Sequence, residues 1–188
     1  MTEQRPALRV LSPGEINVPA TVAVLNDAFR RHAFLGTDRT SEDTIGEELH
    51  ASSRLVQAFE GNDLVGTGAV TPALDEDLDA AKFPGIDLSH ALYFGMAAVR
   101  RDRMGRGLGA QILAASERVA RQRGDTHIIL MTVREMGNVA YYHRFAYETV
   151  SVHELPAGYW GLTIPTHEHA MAKIIIPHPD NQGAQGHV

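Results

Sequence analysis

The chain has 188 residues, 44% of them hydrophobic and 21% charged, a balance that suits one globular domain with a sizeable core. Its formal charge of −6 argues against nucleic acid as a main partner, and the absence of cysteine excludes disulfides, thiolate metal sites and a cysteine nucleophile. No apolar run approaches the roughly 20 residues of a membrane span, and Met1–Arg9 lacks the apolar stretch of a secretion signal, so cytoplasm is the default location.

Ala7–Leu11 reads as a first strand, broken by Ser12-Pro13-Gly14. Val18–Arg31 has helical periodicity, with Val22, Leu25 and Phe29 on one face. A Gly36–Asp38 loop leads to a second helix near Ser41–Ala51, with Ser41 as its cap. Arg54–Glu60 and Leu64–Thr71 read as strands joined by the turn Gly61-Asn62-Asp63. Pro72–His90 is longer than an ordinary connection and is a candidate functional loop. Its Asp75, Glu76, Asp77 and Asp79 form either a solvated turn or a rim that attracts a cationic substrate.

Ala91–Val99 is an apolar, central strand, followed by the basic loop Arg100–Gly107. Leu108–Arg123 is a helix with Leu108, Ile112, Ala115 and Val119 on one face and Gly124 as its stop. Thr126–Val133 is a buried strand, Asn138–Phe145 a short helix, Tyr147–His153 a strand and His169–Ile176 a last strand. An aromatic loop, Pro156–His167, lies between the last two strands. This order predicts a single α/β domain over 1–176 around a mixed sheet, with an unpacked polar tail from Pro177 to Val188.

The chemistry concentrates in the run from Tyr93 to Leu113. Glycines at 105, 107 and 109 sit where a strand hands over to a helix, among Arg100, Arg101, Arg103 and Arg106. A helix N-terminus exposes unpaired N–H groups and partial positive charge, and glycines let an anion approach that backbone. The loop therefore reads as a phosphate or pyrophosphate cradle. It lacks the Gly-Lys-Ser/Thr ending of a P-loop, and G-x-G-x-G is not the dinucleotide fingerprint.

Met104-Gly105-Arg106-Gly107-Leu108-Gly109, five residues after Val99, resembles the acetyl-CoA loop of the GNAT family of N-acetyltransferases. Asn138-Val139-Ala140-Tyr141-Tyr142-His143-Arg144-Phe145-Ala146-Tyr147 is similar to that family's late motif. Met104 stands where the family has Arg or Gln, with Arg103 or Arg106 as possible substitutes for the charge. Ala146 and Tyr147 stand for a Gly-Phe corner. The resemblance implies a GNAT-like fold, a mostly antiparallel sheet with splayed middle strands flanked by helices. It also implies acetyl-CoA as co-substrate, no metal, and an amine acceptor, here a small molecule; homodimers are common in the family. Cofactor contacts are implied for Ala98, Val99, Met104, Gly105, Arg106, Gly107, Leu108, Gly109 and Asn138. Tyr142 takes the position that protonates the departing thiolate, with Tyr141 as second choice. An N–H on the Ala91–Val99 strand would stabilise the oxyanion.

Glu135 is the first candidate for the general base and His90 the second, each with a plain structural alternative. Phe34 and Trp160 are candidate acceptor-site residues, with Leu35 and Tyr159 beside them. His167-Glu168-His169 lacks zinc spacing and reads as a sheet-surface pair. Two other readings stay open: an acyl-CoA-binding module of the same fold without turnover, and a different nucleotide-binding fold that would take ATP or NAD.

Overall fold

The computed structural model describes residues 6–35, 40–76 and 78–176, without the side chain of Trp160. Asp77, the Gly36–Asp38 loop and the tail from 177 onward lie outside the described residues. Seven strands form one sheet: β1 (Ala7–Leu11), β2 (Arg54–Glu60), β3 (Asp63–Pro72), β4 (Ala91–Val99), β5 (His127–Val133), β6 (Glu148–Leu155) and β7 (Thr166–Ile174), in the order β1-β2-β3-β4-β5-β7-β6. Every neighbouring pair is antiparallel except β4 and β5, which run parallel. The predicted mixed α/β architecture is thus the one observed. Among the described residues, no helix is long and apolar enough to cross a membrane.

The helices are α1 (Val18–Phe29), α2 (Glu42–Glu48), α3 (Leu108–Arg123) and α4 (Asn138–His143). Asn17 opens α1 by accepting the Ala20 N–H on its side chain. α2 is shorter than predicted. Ser41 caps Thr44 as expected, but Leu49 already leaves helical geometry at ψ 111, so that the turn from His50 to Ser53 can feed β2. α3 has the predicted bounds, and Gly124 ends it in a left-handed conformation, φ 84. β7 starts at Thr166 rather than His169. Its ladders with β6 (Leu155↔Thr166) and β5 (Val133↔Glu168) recruit those residues, which local sequence does not reveal.

α3 covers one face of the sheet, burying Leu108, Ile112, Leu113, Ala115 and Val119 against Val56, Leu92 and Phe94. Full burial of a side chain such as Ile112 is worth about 1.5–3 kcal/mol. Close seating depends on Gly68 of β3, where a Cβ would come within 2.8 Å of both Ile112 and Phe94. On the opposite face, α1 and α2 pack Val24, Leu25, Ala28 and Ile45 against Leu64 and Ala98. The Pro72–His90 connection lies on that face too, plugging Phe83 against Ala91, Ile129 and Ala170. Lys82 in this connection pairs with the buried Glu168 of β7 at 2.5 Å. Much of the candidate functional loop is therefore a cover for the sheet.

Two irregularities shape the middle of the sheet. β4 and β5 pair only from Ala91↔His127 to Tyr93↔Ile129. Beyond that point β4 follows β3 and β5 follows β7, so the parallel strands splay apart. The register between β3 and β4 also slips, with Thr67 opposite Ala98 but Ala69 opposite Gly95. Met96 and Ala97 together face Gly68, a β-bulge in which Met96 takes φ 47.

Candidate active site

The splay opens a cleft of about 730 Å³ between β4, α3, α4 and the end of α1. Its β4 wall includes Phe94, Ala97, Ala98 and Val99. From Phe94 onward, the edge of β4 that would face β5 has no strand partner among the described residues, so backbone N–H and C=O groups border the cleft without a ladder. A β-bulge on the same stretch re-aims the backbone, as bulges beside active sites do.

The glycine loop forms the mouth. Gly105 and Gly107 adopt φ 76 and φ 78, and a Cβ on either would meet no atom within 4 Å. Gly107 is the N-cap of α3 and offers no side chain to the first-turn N–H groups. That helix end is left open to an anion, by backbone and dipole together. Two hydroxyls in the lining, Thr67 Oγ1 and Tyr141 Oη, are buried with no protein partner among the described residues. A concave lining with open amides at its mouth and unspent hydroxyls inside fits a long ligand that carries phosphates at one end.

The loop's arginines are mostly engaged by carboxylates. Arg100 makes a forked pair with Asp102 at 2.7 and 3.0 Å. Arg101 holds Asp27 of α1 through its N–H and its guanidinium at 2.8 and 3.0 Å. Arg103, one expected substitute for the charge missing at Met104, donates to Glu60 and Asp102, each at 2.7 Å. The other, Arg106, is exposed and does not contribute to the lining.

Ala98, Val99, Met104, Gly105, Gly107, Leu108, Gly109, Asn138 and Tyr142 do come together in the cleft lining. Tyr142 is 8% exposed and packs edge-on to Tyr141. Burial, and then the neighbouring Tyr141, push its hydroxyl above the ordinary tyrosine range, so it is protonated at neutral pH. Tyr141 stands nearer the glycine loop, beside Gly109. Arg144 lies over the Tyr141 ring, 5.3 Å from its centroid.

Other candidates lie elsewhere. Glu135 sits in a tight turn after β5, outside the lining. It accepts from the His167 N–H and ring at 3.1 Å each and from Arg134 at 3.1 Å. Burial alone would raise its pKa, but these hydrogen bonds pull it down to about 2. A base so firmly ionised is poorly matched to neutral pH; the residue anchors the start of β7. His90 precedes β4 at the end remote from the splay, where its carbonyl accepts the Thr126 N–H. Phe34 and Leu35 pack with Val133, Leu155 and Leu162 beside the cleft rather than in its lining. Tyr159 is 43% exposed in the following turn, and the Trp160 side chain lies outside the described residues. His169 bonds Thr149 at 3.3 Å, while the His167 ring is engaged by Glu135.

Sequence reasoning missed Arg31 and His32, which line the cleft from the end of α1. Arg31 Nε donates to His32 Nε2 at 2.8 Å. Burial, and then the Arg31 charge, hold the His32 pKa below its usual value, which keeps that nitrogen an acceptor at neutral pH. Their sequence signal was only a polar pair ending an amphipathic helix. Glu168 was also missed as a buried group: it is 1% exposed, and its Oε1 has no partner among the described residues.

The sequence profile of the Acetyltransferase (GNAT) family matches residues 21–147. No curated protein shows significant sequence similarity to the chain. Among solved structures, the ribosomal-protein-S18-alanine N-acetyltransferase from Escherichia coli is similar at TM-score 0.68 and 17% identity, over 93% of this chain and 98% of that one. An N-acetyltransferase from Staphylococcus aureus Mu50 is similar at TM-score 0.67 and 11% identity, over 90% and 99%. The ribosomal-protein-alanine N-acetyltransferase from Brucella melitensis is similar at TM-score 0.64 and 17% identity, over 89% and 99%. At such identities the likeness is one of fold.

Proposed function

The chain belongs to the GNAT acetyltransferase family, and from that premise we propose that it transfers an acetyl group from acetyl-CoA to the primary amine of a small molecule, within a ternary complex. The observation that carries this reading is the splay of β4 from β5, with the open N-terminus of α3 at its mouth and Tyr142 in its lining.

In this reading the amides around Gly105, Gly107 and Gly109 hold the pyrophosphate, and Asn138 contacts the pantetheine arm. When bound, acetyl-CoA supplies the activated acetyl group and a thiolate leaving group. The unladdered edge of β4 donates backbone N–H to the oxygen that gains charge as the amine attacks. Tyr142 Oη gives its proton to sulfur as the carbon–sulfur bond breaks. Its burial favours this direction, since the hydroxyl stays protonated until that moment. With Glu135 and His90 outside the cleft lining, the acceptor's proton leaves through water. Holding both reactants in one cleft supplies much of the rate.

The apolar cluster of Leu35, Val133, Leu155 and Leu162 closes the sheet end beside the splay, which favours a compact acceptor. Two fold relatives are named for an alanine of a ribosomal protein, so a peptide α-amine is the competing acceptor. Calorimetry with acetyl-CoA, CoA, ATP and NAD tests the cofactor. Binding confined to the CoA species and lost on Gly107→Leu supports the reading; preference for ATP or NAD overturns it. A screen of small amines against peptide N-termini then decides the acceptor. Binding without turnover of any amine would leave the non-catalytic acyl-CoA module as the function.

A further inference from the structure

We propose that Arg31, from the end of α1, supplies the pyrophosphate-binding charge that Met104 lacks; this rests on the acetyl-CoA reading above. Arg31 Nη1 lies 3.2 Å from Met104 Sδ, across 73 residues of sequence, and both side chains line the cleft beside Gly105 and Gly107. Three arginines of the loop itself are already paired with carboxylates, and Arg144 of the lining lies over the Tyr141 ring. Arg100 is matched by Asp102, Arg101 by Asp27, and Arg103 by Glu60 and Asp102. Arg31 has no carboxylate partner among the described residues. Its two protein acceptors are a neutral imidazole nitrogen and a thioether sulfur, which is a weak acceptor.

The geometry gives each neighbour a part. His32 fixes the guanidinium through Nε, leaving the far end of the fork toward the loop. The Met104 side chain provides an apolar rest where a second cation would repel the first. A planar fork with unspent donors at the rim of an amide cradle suits a bidentate phosphate contact. His32 is accordingly a positioning residue, and Arg31 a binding one.

The test is calorimetry of CoA and of dephospho-CoA, which keeps the pyrophosphate but lacks the 3′-phosphate, at two salt concentrations. Arg31→Ala and Arg31→Gln should each weaken CoA about tenfold and flatten the salt dependence, with unfolding midpoints unchanged. Dephospho-CoA should show the same loss. In the Arg31→Ala background, Met104→Arg should recover most of the affinity, because the charge is restored from the loop itself. Wild-type affinity in both Arg31 variants would overturn the proposal, as would a loss that disappears with dephospho-CoA or fails to respond to Met104→Arg. Failure of the wild-type protein to bind any CoA species would instead bring down the cofactor reading, and this inference with it.

Discussion

The Tyr141 hydroxyl occupies the space that a Cβ on Gly109 would need: the two would stand 2.8 Å apart. Gly109 lies in the first turn of α3, where alanine is ordinarily better by about 1 kcal/mol. We expect Gly109→Ala alone to bring no gain, because Tyr141 must move. In a Tyr141→Phe background the same change should stabilise by up to about 1 kcal/mol. Urea unfolding of the four proteins measures this coupling; additive effects would mean that the two residues do not compete for that space.

Tyr142→Phe should lower kcat about 100-fold while leaving acetyl-CoA affinity within a factor of a few. The ring stays in the core, so stability should change little. Paired rate and calorimetric measurements check this, and an equal loss in affinity would point to a packing role for Tyr142. Tyr141→Phe is the matching control and should retain more of the rate.

Glu135 gives a signed pH effect. Its folded pKa, about 2, lies below the reference value of 4.5. The stability it contributes is fully present above the unfolded value and is lost as pH falls through the folded one. Wild type should therefore lose stability between about pH 4.5 and 2, and Glu135→Gln should lose less across that window. At neutral pH the variant should be less stable by about 1–3 kcal/mol, with kcat largely kept. Loss of most activity at unchanged stability would restore Glu135 as a base candidate.

Ala146 adopts φ 62, the left-handed region that glycine enters freely. Ala146→Gly should stabilise by about 0.5–1 kcal/mol, the backbone relief less the entropy of the added freedom. Thermal or denaturant unfolding decides it. A destabilised variant would show that the alanine methyl packs better than the backbone suffers.

The Lys82–Glu168 pair is buried more deeply on the acid side, 1% against 17% exposed. Lys82→Met should cost about 3–5 kcal/mol by leaving a buried carboxylate uncompensated. Adding Glu168→Leu should recover much of that loss. Equilibrium unfolding of the single and double variants measures the difference. A cheap single substitution would mean that water reaches Glu168.

Local signals carried a good part of this far in the sequence. Gly124 after an amphipathic run located the end of α3, and the alternating glycines marked the loop that lines the mouth of the cleft. Tyr142 and Asn138 were named through the likeness of 138–147 to a family motif, and α4 places both in the cleft lining. What escaped was nonlocal. The start of β7 at Thr166 depends on ladders with β5 and β6. The splay is a failure of pairing after Tyr93 and Ile129, and neither strand advertises it alone. Arg31 meets Met104 across 73 residues, where Asp27 ties α1 to Arg101. Glu135 was named as a candidate base, and its hydrogen bond from the His167 N–H spans 32 residues that no local pattern links.

The doubled step at Met96 and Ala97 acts as a frameshift in space. Before it, the even positions Leu92 and Phe94 join the core under α3, while Tyr93 belongs to the cluster on the far face. After it the parity is exchanged: Ala97 and Val99 join the α3 side, and Met96 and Ala98 pack toward α1. One strand thus obeys two reading frames. Deleting Met96 would heal the bulge into plain alternation, with Ala97 and Val99 still beneath α3, Ala98 still toward α1 and the pairing with β3 kept. What the extra residue alters is the path of the backbone beside the cleft, not the faces of the residues that follow.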